Sequence, residues 1–559
     1  MEGPPEVPIG PSHSPVLTKR GLVCSASPLA GAIGAQVLRE GGNAFDAAVA
    51  VAAAEAVTLT PMCGLGGEVF AMLYEASTGT VYGLVGSGRA PMRASREYFV
   101  GLGYEKMPTS GPLTPAVPGE VHAWGAILGR LGTRALGALI APAADLAADG
   151  FPLPAVIASD FSRLVGNGKV LRDYPASAAA FLRPGGQPYQ AGDVLVQKDL
   201  ARSIRRVAEG GVEEFYTGAL AKEIAAAFAE AGGLIDGADL AAQATHVTDD
   251  PPAVDYHGHR VYATPLPSHG LLTLQLLRLL DGFDLAAMGH NTAESIHVMA
   301  EAKRLAYADR LAYVADPEFV QVPVDELLSE EHAARRRALI DRSRAAEDVP
   351  AGELAQTGAA EGASSGHTSY FAVVDAAGNA VSYIHSNSTV FGSGFVAGAT
   401  GILFNNRVGR GFSLDADHVN VLAPGKRTVN TIHSYMVEKD GALRFVGGTP
   451  GGDSQPQWNA QVLSRVIDHG MNVQEAADAP RWVHFPGTDP ASIDRDMELR
   501  MEDGFADGVG DGLSARGHAV APYTPEMMVG AVQLIAIDPG TGVRAGGTDR
   551  RSDGYPIPE

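Results

Sequence analysis

A threonine at position 368 stands where a loose segment runs into a strand, and that placement suits a nucleophile that also has to serve as its own base. The stretch reads GHTSYFAVVDAAGNAVSYIHSNSTVFGSGFVAGATGILFNN over residues 366–406. Cutting the His367–Thr368 bond would leave Thr368 with a free α-amine beside its own hydroxyl. An α-amine titrates at about 7.7–8.0, so near neutral pH much of it is unprotonated and able to take the hydroxyl proton. A threonine that merely opens a strand after a surface loop has the same local pattern. The residues alone leave both readings open. His367, His385 and His433 lie close by in sequence, but no spacing among them resembles a metal-ligand set. They read instead as packed histidines or as pocket lining.

The elements around Thr368 follow from composition. Residues 343–367 are rich in Ala, Gly and Ser without a sustained apolar face, which predicts a flexible tether. Tyr370 to Val374 is a β-branched and aromatic run, Asp375 to Asn379 a turn, and Ala380 to Ile384 the returning strand of a hairpin. Both faces of the first strand are apolar, which predicts a sheet covered on both sides. Upstream, Ser27-Pro28 opens a helix that Gly41-Gly42 ends, and Asn43 caps the buried helix FDAAVAVAAAEAV. That helix is too short and too interrupted by Asp46 and Glu55 to cross a bilayer. Pro61 to Gly67 is glycine-rich but lacks the Lys and the spacing of a phosphate-binding loop, which leaves close backbone packing as its reading. Residues 291–315 carry apolar residues at helical intervals and read as a long amphipathic helix. Val69 to Tyr74, Ala442 to Val446 and Ala531 to Ile537 read as strands.

Composition narrows the function classes. The chain has 559 residues, 45% hydrophobic and 19% charged, which describes a soluble globular enzyme with a sizeable core. A formal charge of −22 argues against nucleic acid as a partner, since backbone binding needs clustered Lys and Arg. Cys24 and Cys63 are the two cysteines, and so few fit a reducing compartment. The proline-rich N-terminus has no apolar core of signal-peptide type. These features together predict a cytoplasmic location with no membrane partner.

Several stretches resemble the γ-glutamyltransferases. They are Thr368-Ser-Tyr-Phe-Ala-Val-Val-Asp375, Gly378-Asn-Ala-Val381, Phe391-Gly-Ser-Gly394, Thr400-Gly-Ile-Leu403 with Asn405-Asn406, and Gly448-Thr-Pro-Gly-Gly452. Ala116-Val-Pro-Gly119 and the closing Gly546-Gly-Thr-Asp-Arg550 fit as well, so the pattern spans nearly the whole chain in the family's order. The resemblance implies an N-terminal-nucleophile hydrolase, an α/β (α+β) protein with an αββα sandwich built from both autocleavage fragments. The domain reading is a disordered arm over 1–20, a large-subunit part over 21–342, the tether over 343–367 and a small-subunit part over 368–559. The two fragments would stay together as a heterodimer, with a dimer of these left open. The partner is a small-molecule substrate, and the chemistry needs no cofactor and no metal.

Roles then carry over position by position. Thr368 is the expected nucleophile and His367–Thr368 the cleavage site. Ser386, 18 residues on, stands where the family has a threonine that hydrogen-bonds the nucleophile. Gly451 and Gly452 match the pair whose backbone N–H groups form the oxyanion hole, where glycine permits close approach of a carbonyl. Substrate recognition departs from the family. Ser388 replaces an Asn, Arg407 a Gln and Arg410 an Asp; Asn430-Thr431 stand for a Ser-Ser pair, and Arg89 is offset from the family's upstream Arg. Guanidinium in place of a carboxylate inverts the charge preference, which suits an acyl carboxylate and leaves an α-ammonium without a partner. An ion-paired structural role for Arg407 and Arg410 remains the alternative. The expected activity is therefore hydrolysis or transfer of a carboxylate-bearing acyl amide. Genuine γ-glutamyl (glutathione) chemistry, a biosynthetic hydrolase that includes carbon–carbon cleavage, and an unprocessed binding homologue stand as alternatives.

Overall fold

The computed structural model describes residues 12–167, 169–354, 368–488, 493, 495–524 and 530–559. Two seven-stranded antiparallel sheets lie face to face. The first runs, edge to edge, through Tyr555–Pro558, Leu22–Ser25, Ser369–Val374, Ala380–Ser386, Glu68–Glu75, Thr80–Gly86 and His246–Thr248. The second runs through Val16–Thr18, Arg544–Thr548, Gln533–Ile537, Ala442–Gly448, Tyr435–Lys439, His259–Ala263 and Ala253–Tyr256. The pleat sends alternate residues to opposite faces. Tyr370, Ala372 and Val374 meet Met436, Val446 and Ile535 between the sheets. Phe371 and Val373 face a helical layer that includes Ala44–Thr58. Helices Gly270–Leu280 and Ala293–Tyr313 cover the second sheet. This is the expected αββα sandwich, and the apolar character of both faces of the Thr368 hairpin is its sequence signature.

Local signals set the element boundaries. Ser27 accepts from the Ala30 amide, Pro28 takes the first helical turn, and Asn43 with Asp46 forms a capping box. The glycine-rich turn is packed as expected: a Cβ on Gly66 would lie 2.2 Å from the Leu403 carbonyl oxygen. Among the described residues no helix is long and apolar enough to cross a membrane.

Three expectations change. The segment read as a disordered arm carries, from Ser12 onward, the edge strand Val16–Thr18 paired with Arg544–Gly546. The long helix is buried nearly all round rather than amphipathic, because its charged residues find partners inside: Asp309 accepts from Gln275 at 2.6 Å and lies 3.1 Å from Arg336. The same Asp309 takes the Gly352 amide at 2.6 Å, and Tyr313 donates to the Gly352 carbonyl. The first half of the tether, residues 343–354, is thus fixed by polar anchors where it lacks an apolar face. Its second half and His367, residues 355–367, lie outside the described residues.

Candidate active site

Thr368 is 3% exposed and immediately precedes the strand Ser369–Val374. Its neighbour across the hairpin is set by register: Ser369 pairs with His385, so Thr368 comes opposite Ser386. The Thr368 hydroxyl donates to Ser386 Oγ at 3.2 Å. Ser386 Oγ in turn accepts the Ser388 amide at 2.8 Å. Ser388 sits at φ +82, a left-handed conformation uncommon for a non-glycine residue, and its carbonyl accepts from Arg410 Nη1 at 2.8 Å. Four residues read from sequence, Thr368, Ser386, Ser388 and Arg410, are therefore joined in one hydrogen-bonded chain.

The Gly451-Gly452 turn closes the other side. The strand Ala442–Gly448 delivers it, and Ser382 Oγ donates across the sandwich to the Gly447 carbonyl at 3.2 Å, locking this strand over the hairpin. Pro450 and Thr368 line the same cleft. Gly451 has φ +141 and Gly452 φ +55, and a Cβ on Gly451 would lie 2.2 Å from the Trp458 ring. Among the described residues no acceptor takes either amide N–H.

The remaining expected ligands divide. Arg407 is buried and its Nε pairs with Glu68, whose other oxygen accepts from Ser87 at 2.9 Å. The ion-paired alternative thus describes Arg407, although its Nη2 has no partner among the described residues. Asn430 is buried, with its backbone fixed by Pro267 and His269 and its Nδ2 likewise without a described partner; Thr431 is buried beside it. Arg89 is engaged with Glu318 at 2.8 Å and with the Gly425 carbonyl at 3.0 Å, and none of its described contacts reaches Thr368, Ser386 or Ser388. The expectation of Arg89 as a substrate ligand finds no such contact here.

Sequence reading missed two groups. His269 lies 3.4 Å from Asp453, the residue after the glycine pair, and accepts from Arg310 at 3.3 Å. Burial, with Arg310, His433, Arg407 and Arg410 around it, lowers its pKa well below the ordinary imidazole value. This neighbourhood brings Arg310 together with Arg407 and Arg410, which lie far from it in sequence. His433 is packed, bonded to Thr273 at 2.7 Å and pushed down to about 4 by burial.

The second group lies on the helix side of the hairpin. His385 bridges Glu55 at 2.8 Å and Glu120 at 2.9 Å, all three fully buried. Ser369, next to the candidate nucleophile, donates to Glu55 at 2.6 Å. Burial opposes a charge on His385, yet its anionic neighbours push its pKa well above the ordinary value. Cys63 beside it is pushed up to about 11 by burial, so it is a neutral thiol and the carboxylates carry the effect. His385 is thus a packed histidine held between two carboxylates and not pocket lining. The one signal in sequence was Glu55 in the second half of a helix that is apolar apart from it and the capping Asp46.

A profile of the Gamma-glutamyltranspeptidase family matches residues 30–558. The chain is 36% identical to the glutathione hydrolase proenzyme of Escherichia coli (strain K12), over 96% of this chain and 91% of that protein. It is 33% identical to the Acylase ACY 1 proenzyme of Pseudomonas sp. (strain SE83), over 97% and 94%. The crystal structure of cephalosporin acylase from Bacillus halodurans superposes with a TM-score of 0.90 at 35% identity, covering 100% of this chain and 99% of that one. The sandwich, the hairpin and the glycine turn thus occur together with a match along almost the full length, and the chain belongs to the gamma-glutamyltranspeptidase family of hydrolases and acyltransferases.

Proposed function

We propose that this chain is a self-cleaving amidohydrolase or acyltransferase whose N-terminal Thr368 acts on an amide with a carboxylate-bearing acyl group. The observation that carries the reading is the buried Thr368–Ser386–Ser388–Arg410 hydrogen-bonded chain. Maturation begins when the Thr368 hydroxyl attacks the His367 carbonyl; the peptide nitrogen leaves as the new α-amine, and water opens the resulting ester. The large and small fragments remain together as a heterodimer. In the mature enzyme that amine takes the hydroxyl proton as Oγ1 attacks the substrate carbonyl, and the Gly451 and Gly452 amides receive the oxyanion. The amine half leaves with the proton, and water or an acceptor amine releases the acyl group.

Ser386 orients the attacking oxygen. Ser386→Ala removes that partner and also frees the Ser388 amide, so both cleavage and turnover are expected to slow by a barrier of about 1–3 kcal/mol while the fold stays intact. Single-turnover rates equal to wild type would reduce Ser386 to a turn residue.

The acyl pocket favours an anion. Arg410 contacts Ser388, and Arg407 Nη2 and Asn430 Nδ2, without a partner among the described residues, are both donors. Glu68, the acid that the fold brings to Arg407, already has both oxygens engaged. An α-ammonium would meet guanidinium, whereas a glutaryl group offers the carboxylate without the amine. A higher kcat/KM is expected for a glutaryl anilide than for its γ-glutamyl counterpart, with Arg410→Asp moving the ratio back. A wild-type preference for γ-glutamyl that the substitution leaves unchanged would place recognition on other residues.

A further inference from the structure

Thr368 borders a cleft whose described lining includes neither Ser388 nor Arg410. Its volume is about 620 Å³, counted out to its solvent-open mouth. Leu59, Met62, Ile157, Pro450 and Ala531 form its apolar wall, and Val156 is exposed at 37%. The wall is fixed to the catalytic hairpin, because the Asn387 amide donates to the Met62 carbonyl and the Phe391 amide to the Pro61 carbonyl, each at 2.7 Å. Three charged side chains reach it: Asp160, Asp553 and Arg551. The Arg551 guanidinium is fully committed. Its Nε donates to Glu502 at 2.9 Å, its Nη1 to Asp549 at 2.9 Å, and its Nη2 again to Glu502. Asp160 is 4% exposed, and Asp553 lies exposed at the rim.

We infer that this cleft holds the amine half of the substrate and selects an apolar amine, neutral or cationic, against one that bears a carboxylate. The inference rests on the proposed acyl transfer at Thr368. An amide carbonyl at Thr368 Oγ1 has two halves, and the side at Ser388 and Arg410 takes the acyl carboxylate. The apolar cleft is then the described space next to Thr368 that remains for the amine. A carboxylate there would meet Asp553 at the rim and no uncommitted cation among the described lining residues, and a like-charge contact is repulsive. An aromatic or aliphatic amine buries its apolar surface against Leu59, Met62 and Ile157, and a cationic tail finds Asp553 at the rim. A dipeptide or amino-acid leaving group, with its free carboxylate, fits poorly.

The test keeps one acyl group, glutaryl, and changes the amine among aniline, 4-(aminomethyl)aniline and 4-aminobenzoate on the cleaved wild-type enzyme. The ring is constant, but the ammoniomethyl group withdraws electrons more strongly than the carboxylate, so the neutral anilide against the carboxyanilide is the comparison in which chemistry does not favour the expected winner. The anilide and the cationic amide are expected to exceed the carboxyanilide in kcat/KM by on the order of tenfold. Asp553→Lys, at the exposed rim, should narrow or invert that ratio. Equal or better turnover of the carboxyanilide, or a ratio that Asp553→Lys leaves untouched, overturns the cleft assignment while acyl transfer at Thr368 stands. Absence of turnover with every acyl and amine overturns both.

Discussion

Purified protein is expected to resolve into two fragments, the smaller of which begins Thr-Ser-Tyr-Phe, whereas Thr368→Ala remains one chain without turnover. Both halves of the result come from one atom. In the proposed mechanism Thr368 Oγ1 is the attacking group in cleavage, and the α-amine that would serve as base exists only after cleavage. Ala has no hydroxyl, so cleavage does not start and neither nucleophile nor base forms. Thr368→Ser keeps the hydroxyl and is expected to cleave, which separates loss of chemistry from loss of fold. Thr368 is buried but small, and its side chain leans on Ser386 rather than on the core, so Thr368→Ala should melt close to wild type. N-terminal sequencing of the small fragment and intact-mass measurement check the junction. A full-length wild-type preparation that turns over substrate would overturn the mechanism.

The next largest effect belongs to the glycine turn. Gly451→Ala places a Cβ 2.2 Å from the Trp458 ring at φ +141, so the turn has to shift and its amides leave their positions. Loss of one oxyanion donor costs about 2.7–4 kcal/mol of barrier, so kcat is expected to fall by on the order of 10²–10³. KM should change little, since the donors act on the charged state more than on the ground-state carbonyl. Gly441→Ala is the control: φ +74 strains the backbone, but nothing lies within 4 Å of the added Cβ. It should cost on the order of 1–2 kcal/mol of stability and leave kcat unchanged. Equal kcat in Gly451→Ala and Gly441→Ala, read on material of matched folded fraction, would remove Gly451 from the oxyanion site.

What sequence made legible was local. The hairpin after Thr368 shows in its alternating β-branched residues, the two N-terminal helices in their caps, and the sharp turn at Gly451 in its paired glycines. Ser386 came from the family resemblance, and the hairpin register then placed it opposite Thr368. The rest depended on partners far away in the chain. Glu55, Glu120 and His385 meet only because a helix, a second helix and a strand stack, and no spacing encodes that. Arg407 reads the same in sequence whether it faces a ligand or Glu68. The fixed first half of the tether escaped notice because its anchors, Asp309 and Tyr313, belong to a helix whose charges looked solvent-facing.

The strand order has a consequence for the cleaved molecule. In the first sheet Leu22–Ser25, from before the junction, lies between Tyr555–Pro558 and Ser369–Val374, both from after it. In the second sheet Val16–Thr18 and His259–Ala263 flank four strands of the later segment. The two products are interleaved and cannot part as intact bodies; separation requires central strands to unzip. Before cleavage unfolding is a one-chain reaction, and refolding is independent of concentration. Afterwards the denatured state is two molecules that must find each other, so the melting midpoint acquires a concentration dependence and recovery from denaturant becomes second order. Cleavage thus makes the native state a kinetic heirloom of the precursor, easily kept and hard to regain.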